Sequence, residues 1–297
     1  MRLGRTFGLS DPGRRRRRNE DAYVVSPPLF AVADGMGGAQ AGELASRIAV
    51  EAMGEEAGTR GEERVTTLIR EANRRIFARS SEDAAASGMG TTMTAALVGD
   101  YGVVTIGHVG DSRAYLLREG RLEQLTEDHS LVAELVRTGK LSAEEAERHP
   151  QRSVITRALG TDPEVDVDTF TVDAQAGDLF LLCSDGLTTM VDDEEILRTV
   201  EGSRDDLEHA AQVLVRKANR GGGEDNITVV FFELAEDGAE SSVDDADTLT
   251  EADRVPVVTP PRTAGNDLDR TAKRVLSILA VVAFVAVGIA VLLLGLK

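Results

Sequence analysis

The chain has 297 residues, a formal net charge of −18 and a single cysteine, Cys183. That length accommodates one large domain with a core plus something beyond it. The acidic balance excludes a nucleic-acid partner, whose phosphates need a basic footprint, although an acidic chain can still hold phosphate through metal ions. A lone cysteine cannot close an internal disulfide, so nothing requires an oxidising compartment.

In chain order, the first feature is a run of five arginines, Arg14 to Arg18, followed by Asn19, Glu20 and Asp21. No apolar stretch follows the positive charge, so the expectation is a chain without a secretory signal that starts in the cytoplasm. Most of these arginines read as a solvated loop. A short strand is expected over Ala22 to Val25. The apolar run Leu29 to Ala33 then ends in Asp34 and Gly35, as a buried strand would if it delivered one carboxylate to its end and turned away. An isolated Asp-Gly is only a hairpin signal. The same grammar returns at Leu179 to Gly186 with Asp185, and acids also close or follow strand-like runs at Asp111 and Asp225. Four acids at strand ends point to one shared site.

Helices are expected over Gly42 to Glu56, with Leu44, Ile48 and Met53 on one face, and over Glu62 to Ser80, with Val65, Leu68, Ile69, Ala72 and Ile76 inward. From Gly90 to Leu117 the period changes to three strands joined by short turns, which reads as an antiparallel meander. Two short helices, Ser130 to Thr138 and Ser142 to Glu147, each opened by a serine cap, interrupt the strand pattern like an inserted flap over about 128–150. Strands resume at Glu164 to Val172 and Asp178 to Ser184. Helices follow at Asp193 to Thr199 and Asp205 to Arg220, then a last strand at Ile227 to Leu234. Runs of strands and runs of helices without strict alternation indicate an α+β domain over 1–235.

Beyond it, 236–274 is rich in Asp, Glu, Ser, Thr and Pro without an apolar period, the composition of a disordered acidic linker. Val275 to Leu296 is an uncharged apolar run long enough to cross a bilayer as a transmembrane helix. Arg270, Lys273 and Arg274 precede it and only Lys297 follows, so the positive-inside rule keeps the catalytic domain cytoplasmic on a single-pass anchor in the cell membrane.

Read together, eight stretches resemble one known family. They are GRRRRRNEDA from Gly13, VADGMGGAQAGELAS from Val32, GMGTTMTAAL from Gly88, GHVGDSRAY from Gly107, LTEDHS from Leu125, HPQRSVITRALG from His149, LLCSDGL from Leu181 and EDNITVV from Glu224. In order and spacing they are similar to the metal-dependent (PPM, type 2C) serine/threonine protein phosphatases in their bacterial, membrane-anchored form. The resemblance implies a four-layer α-β-β-α sandwich, two antiparallel sheets flanked by helices. It implies hydrolysis of phosphoserine and phosphothreonine by a metal-bridging hydroxide, with Mn²⁺ or Mg²⁺ as cofactor: two ions, and a third where bacterial relatives have one. It assigns Asp34 as the acid shared between two metals, Gly35 as a carbonyl ligand, Asp185 and Asp225 as the other direct ligands, and Glu20 as a ligand through water. Asp111 matches the acid of the third metal, with Ser153 beside it. Phosphate would be gripped by Arg16, because the family's arginine lies five residues before the acid that here is Asp21. Implied partners are phosphoproteins, among them a membrane Ser/Thr kinase and its substrates, which the phosphatase would oppose.

The residue chemistry agrees with this. Phosphomonoester hydrolysis needs a strong nucleophile and neutralised phosphoryl oxygens, which paired divalent ions supply. Clustered carboxylates suit Mg²⁺ or Mn²⁺, whereas zinc would call for His and Cys. Met36 stands where eukaryotic relatives have a histidine proposed as general acid, so the leaving group must take its proton elsewhere. His108 reads as a packed sheet residue, His149 as a flap position and Cys183 as core. Rival chemistries fail on the letters: a cysteine-nucleophile phosphatase needs an arginine where Thr189 stands, and Lys140 lacks the glycine-rich lead of a nucleotide loop. A catalytically dead adaptor on the same fold would be expected to have lost at least one of the acids.

Overall fold

The computed structural model describes residues 1–37, 41–55 and 58–236. The expected linker beyond Glu236 and the expected transmembrane helix at 275–296 lie outside them. Among the described residues no helix is long and apolar enough to cross a membrane.

In order, the elements are β1 (Arg2–Asp11), β2 (Asp21–Ser26), β3 (Leu29–Met36), α1 (Ala41–Met53), α2 (Gly61–Glu82), β4 (Gly90–Thr91), β5 (Met93–Val98), β6 (Val103–Val109), β7 (Arg113–Arg118) and β8 (Arg121–Gln124). Then come α3 (Leu131–Arg137), α4 (Ala143–Glu147), β9 (Asp168–Asp173), β10 (Leu179–Cys183), α5 (Asp185–Thr188), α6 (Asp193–Glu201), α7 (Leu207–Gly221) and β11 (Ile227–Ala235). They build two antiparallel sheets, one ordered β1-β11-β10-β7-β8 and the other β2-β3-β5-β6-β9, with β4 paired to β3.

Three apolar layers hold these parts together. Between the sheets lie Phe30, Val32, Ile106, Phe180, Leu182, Val230 and Phe232; Phe232 stacks on Phe30 and Phe180 at centroid distances of 4.4 and 4.7 Å. A second layer joins one sheet to α1 and α2, and a third joins the other sheet to the helices from α5 to α7. Strands covered on both faces must be apolar at every position. That is why Leu29–Ala33 and Leu179–Cys183 are uninterrupted runs and every residue in them is buried. In β11 the two faces separate with period two: Val230, Phe232 and Leu234 enter the inter-sheet core, while Ile227, Val229 and Phe231 face the helices.

Three sequence expectations need correction. The meander over Gly90 to Leu117 does not exist: β5 and β6 pair, but β7 crosses to the other sheet and pairs with β10 and β8. Period-two alternation marks a strand without naming its partner, and the turn at Gly110-Asp111 is a bridge between sheets. The buried face of α1 is Ala41, Ala45, Ser46, Ala49, Ala52 and Met53, with Leu44 and Ile48 only partly buried at its flank, because small residues let the helix sit close on the sheet. Finally, β1 and β8 carry no clear apolar alternation and were not expected.

The two short helices over 128–150 are as anticipated. Ser130 and Ser142 cap α3 and α4 by accepting from the Ala133 and Glu145 amides, and Glu145 closes a capping box on Ser142.

Candidate active site

The strand-end acids meet at one end of the molecule. Asp34 comes from β3, Asp185 opens α5 directly after β10, Asp225 sits just before β11, and Asp111 lies in the crossover from β6 to β7. The carboxyls of Asp34 and Asp185 are near enough to influence each other's charge. A sixfold carboxylate cluster results when Glu20 and Asp21 are added, since Asp21 on β2 lies directly opposite Asp34 on β3.

Hydroxyls and amides hold this cluster in place. The Asp34 amide donates to Thr92 Oγ1 at 2.9 Å, and its carbonyl accepts from Thr91 Oγ1 at 2.8 Å and from the Thr92 amide at 2.9 Å. Thr92 also bonds Ser112 at 2.7 Å, and Thr94 Oγ1 donates to the Ser112 carbonyl at 2.8 Å, tying the Asp111 turn to β5. Gly35 has no room for a side chain: a Cβ would lie 2.2 Å from the Gly42 carbonyl and 2.5 Å from that of Glu20. The close approach brings the start of α1 and the Glu20 backbone against the Asp34 strand.

Burial and mutual repulsion set the protonation of these acids. Burial, opposed by hydrogen bonds from Thr228 and Ser184 and reinforced by the charges of Asp185 and Asp225, raises the Asp21 carboxyl to about 7. Asp111 rises to about 8 and Asp185 to about 6, again by burial first and then by neighbouring carboxylates. Asp34 is pushed well above its ordinary value by burial and by Asp21, Asp185, Asp111 and Asp225 together. The Oδ1 atoms of Asp21 and Asp185 are buried and have no hydrogen-bond partner. Orphaned carboxyl oxygens beside like charges fit divalent cations, which would accept the free lone pairs and cancel the repulsion. The donor set is all oxygen, the chemistry of Mg²⁺ or Mn²⁺. Among the described residues no three His, Cys, Asp or Glu side chains already enclose a single point.

Arg16 reaches this cluster and pairs with Asp225 at 2.6 Å. Glu20 is held through its backbone, donating to Asn226 Oδ1 at 2.7 Å and accepting from the Gly35 amide; burial raises its carboxyl. Asp111 and Asp185 line a cleft of 1720 Å³ under the flap, together with Ser153, Arg152 and Glu224. Ser153 is exposed there and has no hydrogen bond to Asp111 among the described residues. Met36 pairs across to Gly90 and carries no proton to donate. His108 is buried in β6 between Thr94 Oγ1 and the Glu127 carbonyl, and burial lowers it to about 4. His149 is a half-buried flap residue, and Cys183 is fully buried.

Two residues went unremarked in the sequence. Asp21 served there only to set the register of Arg16, yet its carboxyl accepts from Ser184 Oγ at 2.7 Å and Thr228 Oγ1 at 2.6 Å at the centre of the cluster. Asn226 binds the Pro12 and Arg18 carbonyls with Nδ2 and the Glu20 amide with Oδ1. Its position directly after Asp225 was the available signal.

A geometry of clustered carboxylates beside an arginine, on two sheets flanked by helices, defines a metal-dependent phosphatase class. The profile described as Protein phosphatase 2C matches residues 14–219. The chain is 45% identical over 248 residues to the serine/threonine phosphatase stp of Listeria monocytogenes, covering 78% of this chain and 98% of that one. It is 42% identical over 231 residues to the protein phosphatase PstP of Mycobacterium tuberculosis, covering 76% of this chain and 44% of that one. The crystal structure of that M. tuberculosis phosphatase superimposes with a TM-score of 0.74 at 41% identity, over 79% of this chain and all of that one. A structure of the PstP catalytic domain in complex with two manganese ions superimposes with a TM-score of 0.71 at 38% identity, over 79% of this chain and 99% of that one. The chain belongs to the protein phosphatase 2C (PPM) family. It is a serine/threonine phosphatase that acts on phosphoproteins, and enzymes of its family use Mn²⁺ or Mg²⁺.

Proposed function

We propose that Asp34, Asp185 and Asp225, with the Gly35 carbonyl, hold a pair of Mn²⁺ or Mg²⁺ ions, that Glu20 and Asp21 support them, and that Asp111 serves a third ion near Ser153. The observation that carries this reading is the pair of buried, unpartnered carboxyl oxygens on Asp21 and Asp185 inside a cluster drawn from both sheets. When bound, such ions supply positive charge against the phosphoryl oxygens and a more acidic water as nucleophile. Arg16 takes the substrate phosphate. Its guanidinium presents a fork that matches two phosphate oxygens, and its contact with Asp225 keeps it at the cluster until substrate competes for it. Met36 has no proton to give, so the leaving group takes its proton from another group at the site.

The substrates are phosphoserine and phosphothreonine on cytoplasmic proteins, including those of a membrane Ser/Thr kinase that this enzyme opposes. The acidic stretch 236–274 spaces the catalytic domain from an anchor at 275–296, which places the enzyme at the inner face of the cell membrane. Phosphate release from a phosphothreonine peptide by the full chain, with Mn²⁺ and with EDTA, tests the metal assignment. Turnover in Mn²⁺ that EDTA abolishes and added Mn²⁺ restores is expected; turnover indifferent to EDTA would remove it.

A further inference from the structure

We propose that the loop carrying Arg14, Arg15 and Arg17 is a second anion subsite, which selects substrates bearing another phosphorylated side chain within a few residues of the scissile one. The inference rests on the phosphatase reading above.

The loop between β1 and β2 is fastened to the segment that carries Asp225. The amides of Arg14 and Arg15 both donate to the Gly223 carbonyl, at 2.8 and 3.1 Å. The Gly13 amide donates to Asp11 Oδ1 at 2.8 Å, and Asn226 clamps the far side through the Pro12 and Arg18 carbonyls at 3.0 and 2.9 Å. Gly13 adopts φ +74°, and a Cβ there would lie 2.2 Å from the Asp225 carbonyl. The backbone of the arginine run is therefore in direct contact with the backbone of an active-site acid, and its side chains start at the rim of the cluster.

The charges of the run are only partly used. Arg16 pairs with Asp225, and Arg18 lies 3.5 Å from Glu43. Arg14, Arg15 and Arg17 are exposed, and among the described residues no carboxylate pairs with them. Three exposed guanidinium groups without a carboxylate partner contribute nothing to the core, yet the fold fastens the backbone of their loop at five hydrogen bonds. An added anion would supply the partner that these charges lack.

With a net charge of −18 the protein repels a multiply phosphorylated segment over most of its surface. A local group of arginines next to the cluster reverses the sign where such a segment must arrive. Guanidinium forks suit phosphate in particular, because they bind two of its oxygens at once. An arginine side chain reaches on the order of 6–7 Å from its Cα, about two residues of extended peptide at ~3.4 Å each. Arg16 on the scissile phosphate would thus leave its neighbours at the second or third residue away.

The test uses the full chain and the triple variant Arg14→Gln/Arg15→Gln/Arg17→Gln, with Arg16 intact. Substrates are p-nitrophenyl phosphate, a singly phosphorylated threonine peptide with neutral flanks, and the same peptide with a second phosphothreonine two residues away. The expected result is a KM for the doubly phosphorylated peptide raised about tenfold in the variant, with kcat/KM on the other two substrates within about twofold of the parent. The preference of the parent for the doubly phosphorylated peptide should weaken as salt rises. Equal losses on all three substrates would mean that the loop only supports the site, and no change on any would mean that the arginines are inert; either overturns the subsite. So would an unchanged peptide preference accompanied by loss of binding to vesicles containing phosphatidylserine, which would assign the run to lipid. Failure of the parent to hydrolyse any of the three in Mn²⁺ would instead remove the phosphatase reading itself.

Discussion

Asp34 stands where most of the site's interactions converge. Its amide and carbonyl are both held by Thr91 and Thr92, so its backbone has little freedom, while its carboxyl faces Asp21, Asp185, Asp111 and Asp225. Exchanging one carboxyl oxygen for an amide nitrogen leaves the shape and removes a ligand charge. We expect Asp34→Asn to lower kcat with Mn²⁺ by at least about 10²-fold on a phosphothreonine peptide, because a shared ligand positions every ion that it touches. Near-normal Mn²⁺-dependent turnover would discard the shared-ligand role. A different residue-scale effect belongs to Arg16. Arg16→Ala should raise KM for a singly phosphorylated peptide several-fold, since a bidentate phosphate contact is lost; an unchanged KM would show that the register from Asp21 picked the wrong arginine.

At the scale of elements, the loop between β1 and β2 depends on one buried side chain. Asn226 makes three hydrogen bonds to it, at 2.7, 2.9 and 3.0 Å. Buried amide bonds contribute roughly 1 kcal/mol each, so Asn226→Ala should destabilise the domain by about 2–4 kcal/mol, or roughly 5–12 °C in Tm. The Mn²⁺ concentration needed for half-maximal activity should rise as well, because Glu20 and Asp225 flank the clamp; a calorimetric scan and a Mn²⁺ titration together check this. Asp34, Asp185 and Asp225 were legible because each follows or precedes a strand whose composition is dictated by burial on two faces. Asp21 and Asn226 were not, since what makes them matter is contact with residues more than 160 positions away, Ser184 and Thr228 for the one and Pro12 and Arg18 for the other. The sheet change at Gly110-Asp111 was hidden for a related reason: alternation reports which face is buried and is silent about which strand lies alongside. The flap helices, by contrast, carry local capping signals and were placed within a residue or two.

For the molecule as a whole, the acid cluster makes stability depend on pH. Asp21, Asp111 and Asp185 titrate near 7, 8 and 6 in the metal-free fold against an ordinary value of 3.8. Between those limits the folded chain holds more protons than the unfolded one, so their contribution is present at low pH and is lost as pH rises. His108, lowered to about 4 from 6.5, acts with the opposite sign, but only below about pH 6.5. In EDTA, Tm should therefore fall as pH goes from 6.5 to 8, and Mn²⁺ should raise Tm most at the upper end, where the carboxylates are free to bind it. A metal-free Tm that stays level or climbs over that interval would contradict the clustering. The proposed anchor has its own signature. Removing 275–297 should leave kcat and KM on a soluble phosphopeptide within about twofold, yet slow dephosphorylation of a substrate held in the same vesicles, because the tether acts through effective concentration.

The pairing of β1 with β11 has a consequence for how the enzyme comes into being. Arg2 lies opposite Ala235, so the first and last strands of the domain are neighbours, and Asp225 leads directly into the final one. Contacts that span nearly the whole domain form late and slowly, because a long loop must close before they reward it. On refolding from denaturant, much of the helical signal from α1, which packs on the neighbouring β2, β3 and α2, should return before activity does. Catalytic competence would arrive in one step, with the closing of the sheet.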